Sequence, residues 1–303
     1  MHETLEALMA EKTALEPKAA IGPAVRAVAA GILAEARQII TDPERTQEAA
    51  VHHFRRNMKE WRALMRLLAP FIADATRWRH EARDHARSLA QARDGAAALN
   101  AFDGLIDKGN LILSARTTET IRARLEALRA GEERSGLTPM LRDAIVAWLD
   151  VAAGAVALWP LDTLEFPAIA GQLAKSYRNA REHIPKDWTT AQGEELHTLR
   201  QRVVELRYQM EMIEPLWPRF ARMWIGEAER IRGRLGQCQD IEVLKRLTMP
   251  HQVLAHWRSR LTPPCDERTL DLAQRAARVA HRLFAERPKA FRQRLEALWE
   301  FGN

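Results

Sequence analysis

Residues 51–71, VHHFRRNMKEWRALMRLLAPF, align without a gap to residues 196–216, LHTLRQRVVELRYQMEMIEPL. At this constant offset of 145 positions, six residues are identical: His52/His197, Arg55/Arg200, Glu60/Glu205, Arg62/Arg207, Met65/Met210 and Pro70/Pro215. A collinear match over two long segments is the signature of an internal duplication. The sequence therefore predicts two halves of similar architecture.

The duplication and the composition together define the expected organisation. With one residue inserted, the match continues from Trp78/Trp224 to Asp94/Asp240. Alanine, leucine, arginine and glutamate, which favour helices, dominate the 303 residues, whereas valine, isoleucine and tyrosine are sparse. We therefore expect an all-α fold. Its expected segments are a lead segment 1–20, a first half 21–162 and a second half 163–303.

Several classes of protein are disfavoured by simple features of the chain. Cys238 and Cys265 show no CxxC spacing, so neither a zinc site nor a disulfide framework is indicated. The acidic residues within 1–18 argue against a secretory leader. The longest uncharged run, Val151–Leu161, is too short to cross a bilayer and is expected to form a buried core helix. We expect a cytoplasmic protein without a metal, a cofactor or a membrane partner.

One face of the first repeated helix is predicted to be basic. Cations and a histidine follow at steps of three and four residues, which lines them along one stripe: His52, Arg55, Lys59, Arg62 and Arg66. The adjacent apolar seam, which should face the core, is Val51, Phe54, Met58, Trp61, Met65 and Leu68. Like charges at these spacings repel each other, and a bound anion would offset the repulsion. A net charge of +6, carried mainly by arginine, also favours a polyanionic partner.

The second repeated helix carries a shorter stripe. The corresponding positions are His197, Arg200, Val204, Arg207 and Glu211. The apolar seam beside them is Leu196, Leu199, Val203, Leu206, Met210 and Ile213. If the two stripes face each other, they form a basic channel with a histidine at the head of each stripe. Further cations that could extend such a channel are Arg83, Arg87, Lys175, Arg178 and Arg181, although a solvated surface explains these five equally well.

Motifs for catalysis are not visible in the sequence. GxxxxGK[ST], GxGxxG, GxSxG and HExxH patterns are missing, as is a DxD cluster that would hold magnesium. Asp94 and Asp240 recur between the halves, and we interpret them as helix caps or ion-pair partners. No residue is therefore assigned as catalytic or as a metal ligand.

The paired histidine helices resemble those of the CHAD domain, the conserved-histidine α-helical domain. AVHHFRRNMKEWRALMRLL and LHTLRQRVVELRY look like its two histidine motifs, and LAQARD and LGQCQDIEVL look like its Arg-Asp and Leu-Gly-x-x-x-Asp segments. FAERPKAFRQRLEALW is similar to its C-terminal part, so the resemblance covers about residues 20–301. It implies one compact helical domain of two pseudo-symmetric four-helix-bundle halves, with a central basic groove.

The resemblance also implies a function. Members of the family bind inorganic polyphosphate and are associated with polyphosphate granules. Carried over position by position, the expected polyphosphate contacts are His52, Arg55, Lys59, Arg62, Arg66, His197, Arg200 and Arg207. Departures occur at Glu60, Val204 and Glu205, where the family often has a basic residue, so the second half is expected to contribute less affinity.

Two other functions stay open at this point. A protein that binds the nucleic-acid backbone would also use a basic stripe, but Trp61 lies on the predicted apolar seam rather than exposed for stacking. An enzyme of phosphoryl transfer or hydrolysis would use histidine as a nucleophile, but the sequence lacks a set of metal-binding carboxylates. The favoured prediction is a non-enzymatic polyphosphate-binding protein.

Overall fold

The described part of the chain is helical throughout. A computed structural model describes residues 14–89, 94–132, 137–191 and 193–302, and these ranges contain no strand. Their helices are α1 (Ile21–Thr41), α2 (Gln47–Leu68), α3 (Ala75–Ser88), α4 (Asp94–Asp107), α5 (Ala115–Glu132), α6 (Pro139–Ala157), α7 (Phe166–Glu182), α8 (Gly193–Met212), α9 (Pro218–Arg246), α10 (Arg258–Leu283) and α11 (Pro288–Phe301). Short 3₁₀ turns, Glu214–Leu216 and Ala255–Trp257, precede α9 and α10. The all-α prediction is confirmed.

Helices α2 and α8 are the two repeated amphipathic helices. Thr46 caps α2, because its hydroxyl oxygen accepts a hydrogen bond from the backbone N–H of Ala49 at 3.3 Å. The predicted seam of α2 is buried from Phe54 to Leu68, and Val51 packs at its edge. The predicted seam of α8 is buried along its whole length. Both seams therefore face the core, as the apolar spacing predicts.

Helix α2 belongs to a group of four helices in the first half. Helix α2 contacts α1 and α3, and α1 contacts α6. Trp148 of α6 closes the group, since its indole N–H donates a hydrogen bond to Glu81 of α3 at 3.0 Å. The ring of Trp148 also lies against Trp61 of α2 and Trp78 of α3, with centroids 6.4 and 6.3 Å apart. Helices α1, α2, α3 and α6 thus form one bundle.

Helix α8 belongs to a group of four helices in the second half. Helix α8 contacts α7 and α9, and α7 contacts α11. Tyr177 of α7 stacks on Phe291 of α11 with ring centroids 4.3 Å apart, and the Arg294 guanidinium of α11 lies over the Phe220 ring of α9. Helices α7, α8, α9 and α11 form the second bundle. The two four-helix groups agree with the predicted architecture, while a symmetry between them stays a prediction from the repeat.

The three remaining helices are inserted into the two bundles. Helices α4 and α5 lie between α3 and α6 in sequence, yet α4 packs on α9 of the second bundle. Helix α10 also packs along α9, where Lys245 pairs with Asp266 at 2.8 Å. The first and second halves are therefore in contact through α4 and α9. The boundary between residues 162 and 163 stays a prediction from the sequence repeat.

Helices α2 and α8 also pack directly on each other. Gln209 of α8 is fully buried, and its side-chain amide donates a hydrogen bond to the backbone carbonyl of Ala63 in α2 at 3.0 Å. A buried amide is tolerated only when it has such a partner. This bond holds α2 and α8 in one mutual orientation, which sets the direction of the charged side chains on both.

The uncharged run Val151–Leu161 does not form the buried core helix that its composition predicts. Helix α6 ends at Ala157, and Val151 and Leu158 are 64% and 83% exposed. Ala152 and Val156 face the core, so only one side of the segment is covered. The prediction was wrong because the lack of charge reflects small alanine and glycine residues, which a solvated helix face accepts.

None of the described helices is long and apolar enough to span a membrane.

Gly22 provides a test of how α1 is held in the first bundle. A Cβ at Gly22 would lie 2.1 Å from the carbonyl oxygen of Leu161, whereas a Cβ at Gly226 in α9 would meet no atom within 4 Å. We expect Gly22→Ala to destabilise the fold by about 1–3 kcal/mol, since the backbone of Leu161 cannot yield. Gly226→Ala should stabilise it by about 0.5–1 kcal/mol. Urea unfolding of both variants measures the difference, and equal effects would contradict this contact.

Candidate functional site: an arginine cluster between α2, α3 and α8

The basic stripe of α2 runs along the edge of its buried seam. His52 and Lys59 are exposed, whereas Arg55, Arg62 and Arg66 are half-buried. The seam is fixed in the core, so the stripe beside it is directed into the space next to α3. Exposed and half-buried side chains therefore alternate along the first part of the predicted α2 stripe, and its last two arginines are half-buried.

Helix α3 adds three guanidinium groups to this surface. Arg79, Arg83 and Arg87 follow at steps of four residues, and their charges act on Arg62. Burial lowers the pKa of Arg62, and the positive charges of Arg79 and Arg83 lower it further. The Nε–H of Arg62 is buried without a hydrogen-bond partner among the described residues. Arg62 is thus a partly desolvated cation held beside other cations.

Helix α8 contributes one cation and one anion. Glu205 forms an ion pair with Arg66, whose Nε lies 2.9 Å from its Oε2, and it lies 3.6 Å from a guanidinium nitrogen of Arg202. Burial raises the pKa of Glu205, although Arg66, Arg202, Arg79 and Arg62 act in the opposite direction. Glu205 neutralises part of the positive charge at the end of the stripe.

These side chains form an unbalanced group, which we call the arginine cluster: Arg62, Arg66, Arg79, Arg83, Arg87 and Arg202. Within the described ranges, the carboxylates that pair with it are Glu205 and Asp84, and Asp84 lies on the exposed side of Arg83. Six guanidinium groups thus share two carboxylates. An excess of preorganised donors in a half-buried groove attracts anions, and guanidinium forks match phosphate oxygens.

The stripe of α8 faces a different neighbour. Arg207 pairs with Glu211 on its own helix, and its Nε lies 3.6 Å from Glu229 of α9. Arg232 of α9 also donates to Glu229, at 2.7 Å. Arg207 further lies over the ring of Tyr208, 4.2 Å from the centroid. The cations at this end of the α8 stripe are therefore already compensated by carboxylates of the protein.

The other two residues of the α8 stripe also face α9. Arg200 donates to the Gln239 side chain at 3.4 Å, and its charge acts on the nearby Asp240. His197 lines a cavity of about 680 Å³ between α8, α9 and α10, where its Nε2 lies 2.6 Å from the amide nitrogen of Gln201. The α2 stripe meets Arg202 and Glu205 of α8 rather than His197, Arg200 and Arg207. The two stripes are thus directed towards α3 and α9 respectively.

A comparison with known families assigns the chain on its sequence. The family model of the CHAD domain matches residues 5–248. The chain belongs to the CHAD domain family. Binding of inorganic polyphosphate is a general property attributed to CHAD domains, which generally act as binding domains. No curated protein and no solved structure matches the chain.

The match differs in extent from the resemblance seen in the sequence. It starts at residue 5, within a lead segment that lies outside the described residues up to residue 13, and it ends at residue 248. Both histidine helices and the arginine cluster fall inside it. The similarity of FAERPKAFRQRLEALW, in the last part of the chain, to a CHAD domain stays a prediction.

The five additional cations predicted for this CHAD domain have different locations. Arg83 and Arg87 join the arginine cluster through their effect on Arg62. Lys175 and Arg178 are exposed on α7. Arg181 donates to the backbone carbonyl of Phe284 at 3.0 Å, which ties α7 to the end of α10. Arg181 thus has a structural role in holding α7 against the end of α10.

Sequence reasoning did not assign three functional candidates of this CHAD domain. Arg79 precedes Arg83 by one helical turn, so the spacing of four residues on α3 was the signal for it. Arg202 lies off the α8 stripe, and no pattern in α8 marked it. Glu205 was noted as a departure from the family, but its ion pairs depend on how α2 packs on α8. All three lie on the side of α8 or α3 that faces Arg62 and Arg66.

Metal binding and thiol reactivity are two further properties of the described residues. They contain no group of three or more histidine, cysteine or acidic side chains that could hold a metal ion. Burial raises the pKa of both Cys238 and Cys265 to about 12, so these thiols stay protonated at neutral pH. What the arginine cluster supplies is positive charge and N–H donors.

The equivalent residues Arg62 and Arg207 should differ in their effect on stability. In a low-salt buffer without multivalent anions, we expect Arg62→Met to be neutral or to stabilise the fold by up to about 1 kcal/mol, because it relieves repulsion within the cluster. Arg207→Met should destabilise by about 3 kcal/mol, because it removes the ion pair with Glu211, whose side chain is only 15% exposed, while Glu229 keeps its bond to Arg232. Denaturant unfolding compares the two variants. Similar losses for both would contradict the difference in charge balance.

Proposed function

We propose that this CHAD domain binds inorganic polyphosphate at the arginine cluster, without catalysing a reaction. One observation carries the proposal above all others. Arg62 is half-buried, surrounded by guanidinium groups and has an unpartnered Nε–H. A cation in this position is stabilised when an anion enters, and polyphosphate binding is attributed to the family.

The proposed binding surface follows the α2 stripe and its neighbours. His52, Arg55 and Lys59 extend it from the cluster along α2, and Arg83 and Arg87 widen it on the α3 side. His197, Arg200 and Arg207 are proposed to contribute less, because Glu211, Glu229 and Asp240 already lie beside the two arginines. Polyphosphate is a linear chain with one negative charge on each internal phosphate. A row of guanidinium groups can therefore replace its counterions one by one.

Binding rather than turnover follows from the chemistry of these groups. Guanidinium groups stay protonated at neutral pH, so they neither accept a proton from water nor attack phosphorus. The carboxylate within the cluster, Glu205, is held by Arg66 and Arg202. We propose a cytoplasmic role at polyphosphate granules, which follows from the family alone.

Nucleic acid is the competing polyanion, and the burial of aromatic side chains argues against it. Phe54 and Trp61 of α2 and Trp78 of α3 are all buried in the core. Proteins that track single strands stack bases on exposed aromatic rings. The surface along α2 and α3 thus offers phosphate contacts without a stacking platform, which favours a chain that consists of phosphates alone.

Binding to long-chain polyphosphate at several salt concentrations tests this proposal. With about five phosphate contacts, the slope of log affinity against log salt concentration should be about −4. Arg62→Gln combined with Arg83→Gln should weaken binding about tenfold to a hundredfold and make the slope shallower by about 1.5. The matched control is Arg142→Gln, since Arg142 is exposed on α6 outside the cluster. It should change the affinity less than twofold.

Three results would overturn the proposal. Equal affinity of the double variant and the wild-type protein would place the site elsewhere. Equal displacement of polyphosphate by single-stranded nucleic acid, at the same phosphate concentration, would favour the nucleic-acid function. Release of orthophosphate by the wild-type protein, lost in His52→Ala, would show an enzyme.

A further inference from the structure

Glu205 occupies an unusual place for an acidic side chain. It projects from α8 into the arginine cluster, where only 15% of its side chain is exposed. Its Oε2 lies 2.9 Å from Nε of Arg66 and 3.6 Å from Nη1 of Arg202. The groups whose charge acts on it come from three helices: Arg62 and Arg66 on α2, Arg79 on α3 and Arg202 on α8. The cluster thus contains its own anion.

That anion lies beside a donor which a bound phosphate would need. The Nε of arginine carries one hydrogen, and Nε of Arg66 lies 2.9 Å from the Glu205 carboxylate. The unpartnered Nε–H of Arg62 lies one helical turn away on the same stripe. A phosphate chain that engages Arg62 and Arg66 together must displace the Glu205 carboxylate, or lie next to it and be repelled.

The ionised state of Glu205 is only partly stabilised by its neighbours. Burial raises its pKa, and the four arginines lower it without cancelling the effect of burial. The arginines themselves stay charged throughout the ordinary pH range. Glu205 is therefore the group in this part of the cluster that loses its charge as the pH falls, while the arginines keep theirs.

We propose that Glu205 is a built-in competing anion that sets the affinity of the arginine cluster for polyphosphate and makes this affinity depend on pH. This inference rests on the proposed function. With Glu205 ionised, Arg66 and Arg202 are partly occupied and binding is weaker. With Glu205 protonated, both arginines are released to the phosphate chain and binding is tighter.

The sign of the pH dependence follows from linkage. A bound phosphate chain places negative charge beside Glu205, so the complex favours the protonated carboxyl and takes up a proton on binding. Affinity therefore rises as the pH falls through the range in which Glu205 titrates. Internal phosphates keep their single negative charge over this range. His52 also belongs to the stripe and is ionisable, so its contribution must be separated from that of Glu205 by mutation.

The test compares wild-type protein with Glu205→Gln in titrations with polyphosphate of defined length, at pH 7.5 and pH 5.0 and constant ionic strength. At pH 7.5, Glu205→Gln should bind about tenfold more tightly than wild type. At pH 5.0, the two should differ less than about threefold. Glu205→Asp, which keeps the carboxylate, should retain an affinity that rises as the pH falls. Asp143→Asn makes the same change in net charge at an exposed position on α6 and should leave the affinity unchanged.

A second series removes the histidine at the head of the stripe. In a His52→Ala background with Glu205 in place, the affinity for polyphosphate should still rise as the pH falls from 7.5 to 5.0. Adding Glu205→Gln should remove most of that rise. The His52→Ala titration also applies if Glu205→Gln lowers the stability of the fold, because it retains Glu205.

The outcomes separate this inference from the proposed function. If wild-type protein binds polyphosphate, and Glu205→Gln binds with the same affinity and the same pH dependence, the role of Glu205 is refuted while the site stands. If Asp143→Asn tightens binding as much as Glu205→Gln, the effect is one of net charge and the inference is wrong. If wild-type protein fails to bind at low salt at either pH, both proposals fall together.

Discussion

The packing of α2 on α8 determines where the charged side chains of the site are directed. Gln209 is fully buried at this contact, and its side-chain amide donates a hydrogen bond to the backbone carbonyl of Ala63. Rotation of either helix about its axis would break this hydrogen bond and leave the buried Gln209 amide N–H without its partner. Burying an unpaired donor costs free energy of folding. With the rotation fixed, Arg62 and Arg66 lie beside α3, and Glu205 enters the space between them and Arg202. The charge pattern of the site is thus a result of a polar contact in the core.

The two repeated helices differ in charge balance more than in packing. Their apolar seams are both buried, but Arg66 aligns with Glu211, and Arg83 aligns with Glu229 when the single inserted residue is counted. Both replacements put a carboxylate beside Arg207. The α8 side is therefore neutralised by the protein itself, whereas the α2 side retains an excess of cations. A duplication can in this way keep one copy of a surface for a ligand and use the other copy for stability.

Much of the fold was accessible from the sequence, because apolar spacing and composition report local periodicity. They predicted helices α2 and α8, their buried seams and the α2 stripe. The neighbours of each stripe were not accessible, since these depend on contacts between residues far apart in the chain. Glu205 shows the difference: its identity was visible in the repeat, but its pairing with Arg66 arises from the α2–α8 contact. The prediction of a buried core helix at Val151–Leu161 was wrong for another reason. Small uncharged residues are accepted on solvated helix faces.

The position of α4 has a consequence for how the chain folds. Helix α4 packs on α9, although more than one hundred residues separate them in sequence. During synthesis from the N-terminus, α4 and α5 emerge well before residues 218–246. The apolar face of α4 that packs on α9 therefore stays exposed until α9 has been synthesised. Contacts of such long sequence separation slow folding, since the intervening loop has to close first. The first half is thus complete in sequence before α4 is covered, and an arrested nascent chain that ends before α9 would expose surface that chaperones recognise.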